Sequence, residues 1–334
     1  MSMQQPVLLF PANGYVFNTH TSEQQDFIHH IHLVGIDEAL LHLDAVQQSR
    51  ELSYPAALLL VWEKVEGESV LEIAETPDFV NAKTVVLTKN SYLFQNCKTG
   101  QTYYWRVNGG EAWRFETVKG IRFLSIEGIR NVRDLGGEKI KQGLLFRGCE
   151  PEPLYHITDE GRRVACEDLK FKTQLDLRLE FFEKIEGSSF GEGIFLKQIP
   201  YRPYKEIVEE KHKKAICLIM EFLSHEENYP VYFHCKGGAD RTGMIAFYIK
   251  TLLGESEEDI FLDYEITSLS RIPVNDSNTV NGFRSRNHDY FVEFLDILNS
   301  YAPNASLYDK VRNFLLDCGV KEEWMEKIKT ILRK

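Results

Sequence analysis

Val231-Tyr232-Phe233-His234-Cys235-Lys236-Gly237-Gly238-Ala239-Asp240-Arg241-Thr242-Gly243 is the stretch on which the reading of this chain turns. Val231 to His234 is a short apolar and aromatic run of the kind that makes a buried strand. Ile245, Tyr248, Ile249, Leu252 and Leu253 then fall at helical spacing, and Gly254 can end that helix. Gly237 and Gly238 permit close backbone approach between strand and helix. Successive N–H groups can therefore converge on an anion at the helix N-terminus, where the dipole favours negative charge. Cys235 opens this loop and Arg241 closes it, with five residues between them. Arg241 can grip two oxygens of a phosphate with its planar fork, and the same converging dipoles favour Cys235 as a thiolate nucleophile. Thr242 is placed to donate to the sulfur when it leaves. The Cys-x-x-x-x-x-Arg spacing recurs by chance, but with the strand, the flanking His234, two glycines and Arg-Thr-Gly it predicts a phosphate-ester hydrolase rather than a buried structural thiol.

At these residues the chain resembles the cysteine-dependent protein tyrosine phosphatases, and within them a bacterial branch similar to dual-specificity and phosphoinositide phosphatases. Two further motifs carry the resemblance: Asn131-Val132-Arg133-Asp134-Leu135-Gly136-Gly137, and Asp176-Leu177-Arg178 at a strand end. It spans roughly residues 121 to 300 in the family's order. It implies catalytic roles for Cys235, Arg241 and Thr242, with His234, Lys236, Gly237, Gly238, Ala239, Gly243 and Arg178 around the substrate.

Composition sets the frame. A chain of 334 residues, 43% hydrophobic, suits two globular domains. A formal net charge of -11 argues against nucleic acid as a partner and requires any phosphate pocket to be a local inversion of the field. Six cysteines in a chain this long make no disulfide framework, and none forms a close metal-type pair. No apolar run is long enough to span a membrane. The opening Met1-Ser2-Met3-Gln4-Gln5-Pro6 lacks the basic start and apolar stretch of a leader. A cytoplasmic enzyme is the expectation, or a secreted one if a leader has been removed.

Residues 1–118 read as short strands at sandwich-like intervals: Tyr54 to Val65, Ser69 to Ala74, Lys83 to Leu87, Tyr92 to Phe94, Gln101 to Val107 and Ala112 to Thr117. In Thr102 to Val107 alternate residues can face a core, and Asn108-Gly109-Gly110 is a turn. With Glu75-Thr76-Pro77-Asp78-Phe79 and Trp113-Arg114-Phe115-Glu116-Thr117, this all-β domain resembles a fibronectin type III sandwich, a candidate for binding another protein or carbohydrate. The first 50 residues fit less well. His30 and His32 would share one face of a strand beside His29, but nothing at a convincing spacing completes a metal site, so packing histidines are the better reading.

Val118-Lys119-Gly120 marks the expected linker, and residues 119–334 change to mixed helix and strand. Asn131 to Gly137 reads as a structural turn, with Asp134 paired to Arg133 or Arg147. Thr158 caps a helix, Thr173 to Leu177 returns as a strand, and Ala215, Leu218, Ile219, Phe222 and Leu223 form one helical stripe. Ser256-Glu257-Glu258-Asp259 is a capping signal, and Trp324, Ile328, Ile331 and Leu332 mark a final amphipathic helix. Alternating strands and helices predict an α/β domain with a mostly parallel sheet flanked by helices and the loop at the carboxyl end of a strand.

In the expected reaction Cys235 attacks phosphorus, water releases the cysteinyl phosphate, and no cofactor or metal is called for. Asp176 and Asp240 are the candidate general acids, with Asp176 favoured because the resemblance implies that its strand-end motif faces the pocket. Sulfur transferases and arsenate reductases share a Cys in a short anion loop, and a phospho-ligand binding module is the non-catalytic alternative. Substrate class is read from charge. Lys236 suits an extra phosphate on an inositol ring, while Ala239 stands where many relatives place a second Lys. Phosphotyrosine or phosphoserine/threonine in a protein is therefore expected ahead of a phosphoinositide, with Arg202 a candidate for the missing cation.

Overall fold

A computed structural model describes residues 4–47, 50–179, 187–270, 272–273, 283–284 and 288–334, so the first three residues of the opening hexapeptide lie outside the described residues. The chain divides into two units, one of Met1–Thr21 with Pro55–Arg122, the other of Ser22–Tyr54 with Phe123–Lys334. This differs from the single boundary expected between residues 118 and 119, because Ser22–Tyr54 belongs to the second unit.

The first unit is strand-rich. Strands β1 (Leu8–Phe10), β3 (Leu58–Trp62) and β6 (Ser91–Phe94) form one sheet. A second, in the order β2-β8-β7-β4-β5, holds β2 (Tyr15–Phe17), β4 (Ser69–Ala74), β5 (Lys83–Leu87), β7 (Thr102–Val107) and β8 (Trp113–Thr117). Both sheets feed one apolar core, with Leu60 and Trp62 from β3 meeting Leu71, Trp105 and Phe115. The alternation expected in β7 is present: Tyr103, Trp105 and Val107 are buried between half-buried neighbours. Asn108 and Gly109 both have positive φ, and the Gly110 N–H donates to the Val107 carbonyl at 3.0 Å, which makes a tight primed turn into β8.

Residues expected to be irregular or extended form two helices of the second unit, α1 (Ser22–Val34) and α2 (Ile36–Gln47). His29, His30 and His32 therefore lie on a helix, not on one face of a strand. The apolar period explains it, since Phe27 and Ile31 are four apart and Phe27 is almost fully buried. Gln24 ties the hairpin down, donating from Nε2 to the carbonyls of Leu52 and Tyr54 at 2.8 Å each.

The sheet of the second unit has the order β13-β12-β14-β11-β10-β9, from β9 (Arg122–Phe123), β10 (Arg133–Asp134), β11 (Leu145–Gly148), β12 (Thr173–Asp176), β13 (Phe195–Gln198) and β14 (Val231–His234). It is mixed: β11, β12, β13 and β14 pair in parallel, while β10 runs antiparallel to β11. Helix α3 (Asp159–Arg163) starts at Thr158, whose hydroxyl accepts the Gly161 N–H. It is followed by α4 (Glu210–Leu223), α5 (Asp240–Leu253), α6 (Glu257–Glu265), α7 (His288–Tyr301), α8 (Leu307–Asp317) and α9 (Glu322–Leu332). In α4 the buried stripe is Ala215, Ile216, Ile219, Met220 and Leu223. Leu218, expected on that stripe, points to solvent.

Strand alternation divides the interior. Leu145, Val231 and Phe233 join the core built with α4 to α9, while Phe146 and Tyr232 join a second core with Phe171 and Phe190. All four residues of β14 are buried, so the loop that follows is carried on a strand fixed from both faces. Helix α5 ends at Gly254, whose left-handed conformation (φ 74°) lets its N–H close on the Lys250 and Thr251 carbonyls. No helix among the described residues is long and apolar enough to cross a membrane.

Candidate active site

The loop from Cys235 to Arg241 joins the carboxyl end of β14 to the start of α5, the central strand to the first turn of a fully packed helix. Its carbonyls are bound from behind. The Lys236 carbonyl accepts the Glu150 N–H at 3.1 Å, the Gly237 carbonyl accepts Asn131 Nδ2 at 3.0 Å, and the Gly238 carbonyl accepts Arg147 Nη2 at 2.8 Å. The Arg241 carbonyl accepts the Tyr201 hydroxyl. By contrast, the N–H groups of Lys236, Gly237, Gly238 and Ala239 donate to no acceptor among the described residues. A run of backbone donors with the carbonyls engaged elsewhere has the geometry that suits an anion.

Gly238 is indispensable to that shape. It has φ +67°, and a Cβ there would sit 2.4 Å from the carbonyl carbon and oxygen of Gly148, backbone that cannot swing aside. Gly238→Ala is expected to cost about 2 to 4 kcal/mol from left-handed strain and overpacking, read as a lowered urea midpoint. Wild-type stability in that variant would contradict the close approach.

The Asn131–Gly137 motif works as scaffold. Arg133 Nε donates to Asp263 Oδ1 at 2.9 Å and its Nη1 to Asn131 Oδ1 at 2.6 Å, while Arg147 Nη1 donates to Asp263 Oδ2. The partner of both arginines is thus Asp263 of α6, not Asp134 as expected. Burial pushes the Asp263 carboxyl up, but the two guanidinium groups outweigh that and hold it well below the carboxylate range. Asp134 instead accepts the N–H of Gly136 at 2.8 Å and of Gly143 at 2.6 Å, which fixes the turn.

Asp176 and Arg178 lie beside the loop but are bound to each other. Arg178 Nε and Nη2 donate to the Asp176 carboxylate at 2.7–3.0 Å, and Nη1 donates to Glu150 Oε2 at 2.7 Å. Asp176 is only 1% exposed. Burial pushes its carboxyl up, but His234 and the Arg178 guanidinium beside it outweigh that and hold it at about 2. It offers no proton near neutral pH. Arg178 Nη1 also donates to the Glu152 carbonyl at 2.6 Å.

His234 is fully buried, and burial lowers its imidazole to about 4, so it is neutral near neutral pH and charged only in the acid range where Asp176 titrates. The Gln174 carbonyl oxygen accepts from Ser188 Oγ and the Ser189 N–H, so the Gln174 amide nitrogen donates to His234 Nε2 at 2.9 Å. His234 Nδ1 then carries the proton and meets the Cys235 carbonyl at 3.2 Å. Cys235 is 2% exposed. The Thr242 hydroxyl is buried and has no hydrogen-bond partner among the described residues. Gly243 is packed so closely that a Cβ would lie 2.9 Å from the Tyr264 ring. Ala239, at the N-terminus of α5, is buried.

Asp240 and Arg241 are half-buried and line a cavity of about 470 Å³ together with Arg202, Tyr204, Lys205 and Tyr290. The Tyr204 hydroxyl donates to Asp240 Oδ1 and meets the Tyr264 hydroxyl at 2.6 Å. Arg241 Nη1 donates to the Leu177 carbonyl at 3.2 Å. Tyr204, Tyr264 and Glu150 carried no local signal in the sequence, because each reaches the site from a distant segment.

Residues 195–334 match the tyrosine phosphatase family. The match covers the loop and α4 to α9, and leaves Asn131–Gly137 and Asp176–Arg178 outside it. Among solved structures, the core catalytic domain of the PP-IP phosphatase SIW14 from S. cerevisiae in complex with citrate is similar at 25% identity. That likeness covers 38% of this chain and 74% of that one, with a TM-score of 0.30. No curated protein matches the chain. Away from the loop, Asp26 and His30 of α1 meet His42 of α2: His42 Nε2 lies 2.7 Å from Asp26 Oδ2, and the two imidazoles stack at 4.2 Å. His42 had not been grouped with the others from sequence.

Proposed function

We propose that the second unit is a cysteine-dependent phosphatase that hydrolyses phosphate monoesters, phosphotyrosine first among them, through a cysteinyl-phosphate intermediate. The observation that carries the reading is the loop whose carbonyls are all engaged while its N–H groups are not, set between Cys235 and Arg241. The Cys235 sulfur attacks phosphorus, the P–O bond to the leaving group breaks, and the departing oxygen takes a proton from Asp240. Water then attacks phosphorus and gives a proton to Asp240, the S–P bond breaks, and the thiolate returns with Thr242 beside it as a hydrogen-bond donor. Arg241 and the loop amides carry the charge on the phosphoryl oxygens in both steps.

Asp240 is the better general acid, in place of the Asp176 favoured from sequence, because it lines the cavity beside Arg241 while Asp176 is sealed against Arg178. Burial, and the Asp240 carboxylate itself, push the Tyr204 phenol far up, so it stays a donor and orients that carboxyl. The first unit we infer to be a fibronectin type III-like sandwich, supported by two sheets sharing one core. The test of the catalytic reading is phosphate release from phenyl phosphate, compared with release from phosphotyrosyl and phosphoseryl peptides. Phosphate binding without turnover of any of them would favour the binding-module alternative.

A further inference from the structure

Arg241 is committed to the scissile phosphate if the catalytic reading holds, yet two more cations stand on the same cavity. Arg202 and Lys205 are exposed, line the space beside Asp240 and Arg241, and form no hydrogen bond or ion pair from their side chains among the described residues. Among the described residues the carboxylates within reach are occupied or few. Glu209 is bound by Lys211 at 2.9 Å, Asp240 receives the Tyr204 hydroxyl, and Glu206 is the other acid on the lining. In a chain of net charge -11, cations left in this way beside an anion loop are a local reversal of the field. The lining also holds an aromatic pair: Tyr290 stacks on Tyr204 with ring centroids 5.7 Å apart.

We propose that Arg202 and Lys205 form a subsite for a second anionic group, a phosphate or carboxylate, carried on the leaving portion of the substrate. The reading rests on the phosphatase assignment and names the substrate class within it. Selectivity against multiply charged substrates was expected from Ala239, a position on the loop itself. The structure offers the compensating charge from the segment before α4, which lines the same cavity as Asp240, the proposed donor to the leaving group. Such cations raise encounter rate and ground-state affinity more than they stabilise the reacting centre.

The experiment compares kcat/KM on 1,4-phenylene bisphosphate and on phenyl phosphate, for wild type and for Arg202→Ala/Lys205→Ala. The ratio of the two is expected to fall about tenfold in the double variant, through KM rather than kcat, and the wild-type ratio to shrink as salt is raised. A phosphotyrosyl peptide with aspartate beside the phosphotyrosine, set against its alanine counterpart, forms a second arm. A fall in the small-molecule ratio alone places the second anion on a small substrate. A fall in the peptide ratio extends it to proteins, and either supports the subsite. Unchanged ratios in both arms overturn it. If the wild type turns over none of these compounds, the phosphatase reading fails separately. The subsite is then judged by calorimetric binding of 1,4-phenylene bisphosphate to Cys235→Ser with and without the two cations, where equal affinity overturns it.

Discussion

Cys235→Ser is expected to reduce phosphate release by about 10⁴-fold or more while leaving phosphate affinity nearly intact. The serine hydroxyl fits the same buried position, 2% exposed at the end of β14, and disturbs none of the carbonyl contacts that shape the loop. What it lacks is a nucleophile that ionises near neutral pH. Two measurements are needed together: turnover on phenyl phosphate and calorimetric binding of inorganic phosphate. Loss of both would point to a collapsed loop. Appreciable turnover by the serine variant would remove Cys235 from the mechanism.

The second large effect separates the two carboxylates. Asp240→Asn is expected to lose the alkaline limb of the kcat/KM profile and to slow substrates with poor leaving groups by about 10²- to 10³-fold, with activated aryl esters affected least. Asp176→Asn is expected to keep that limb and lose stability instead, because it breaks a buried pair with Arg178, a cost of about 3 kcal/mol. The pH dependence has a definite sign. The Asp176 carboxyl is held at about 2 against an ordinary 3.8, so its stabilisation is fully present above about pH 4 and fades as the pH falls towards 2. The amount involved is about 2 kcal/mol. Denaturant titrations of wild type and Asp176→Asn between pH 2 and pH 6 should converge at the acid end. An alkaline limb retained in Asp240→Asn and lost in Asp176→Asn would restore the assignment first drawn from sequence.

Local signals were legible and distant pairings were not. The strand and helix around Cys235, the left-handed Gly254, the caps at Thr158 and Ser256, and six strands of the first unit each depend on a few neighbouring residues. The two Arg–Asp263 pairs, the Tyr204–Asp240 contact and the Glu150–Arg178 pair join residues tens to more than a hundred positions apart, where no period or spacing exists to read. The sequence favoured Asp176 over Asp240, the reverse of the reading proposed above, for a subtler reason. Arg178, two residues on, turns back onto Asp176 with both its backbone N–H and its guanidinium, and a strand-end position does not disclose that. The helices at residues 22–47 were missed because histidines and β-branched residues obscured the four-residue spacing of Phe27 and Ile31.

The excursion of Ser22–Tyr54 into the second unit imposes an order on synthesis. The Leu52 N–H donates to the Leu269 carbonyl at 3.0 Å, and Ser270 Oγ donates to Glu51 across 219 positions. These contacts cannot form until Leu269 and Ser270 have left the ribosome. At about 5 to 20 residues per second, the hairpin spends about ten seconds or more with its apolar stripe unmatched. Closing a loop of that length adds to the folding barrier through lost chain entropy. Because unit one is interrupted by this same segment, neither unit is a continuous piece of chain that a single cut can release whole.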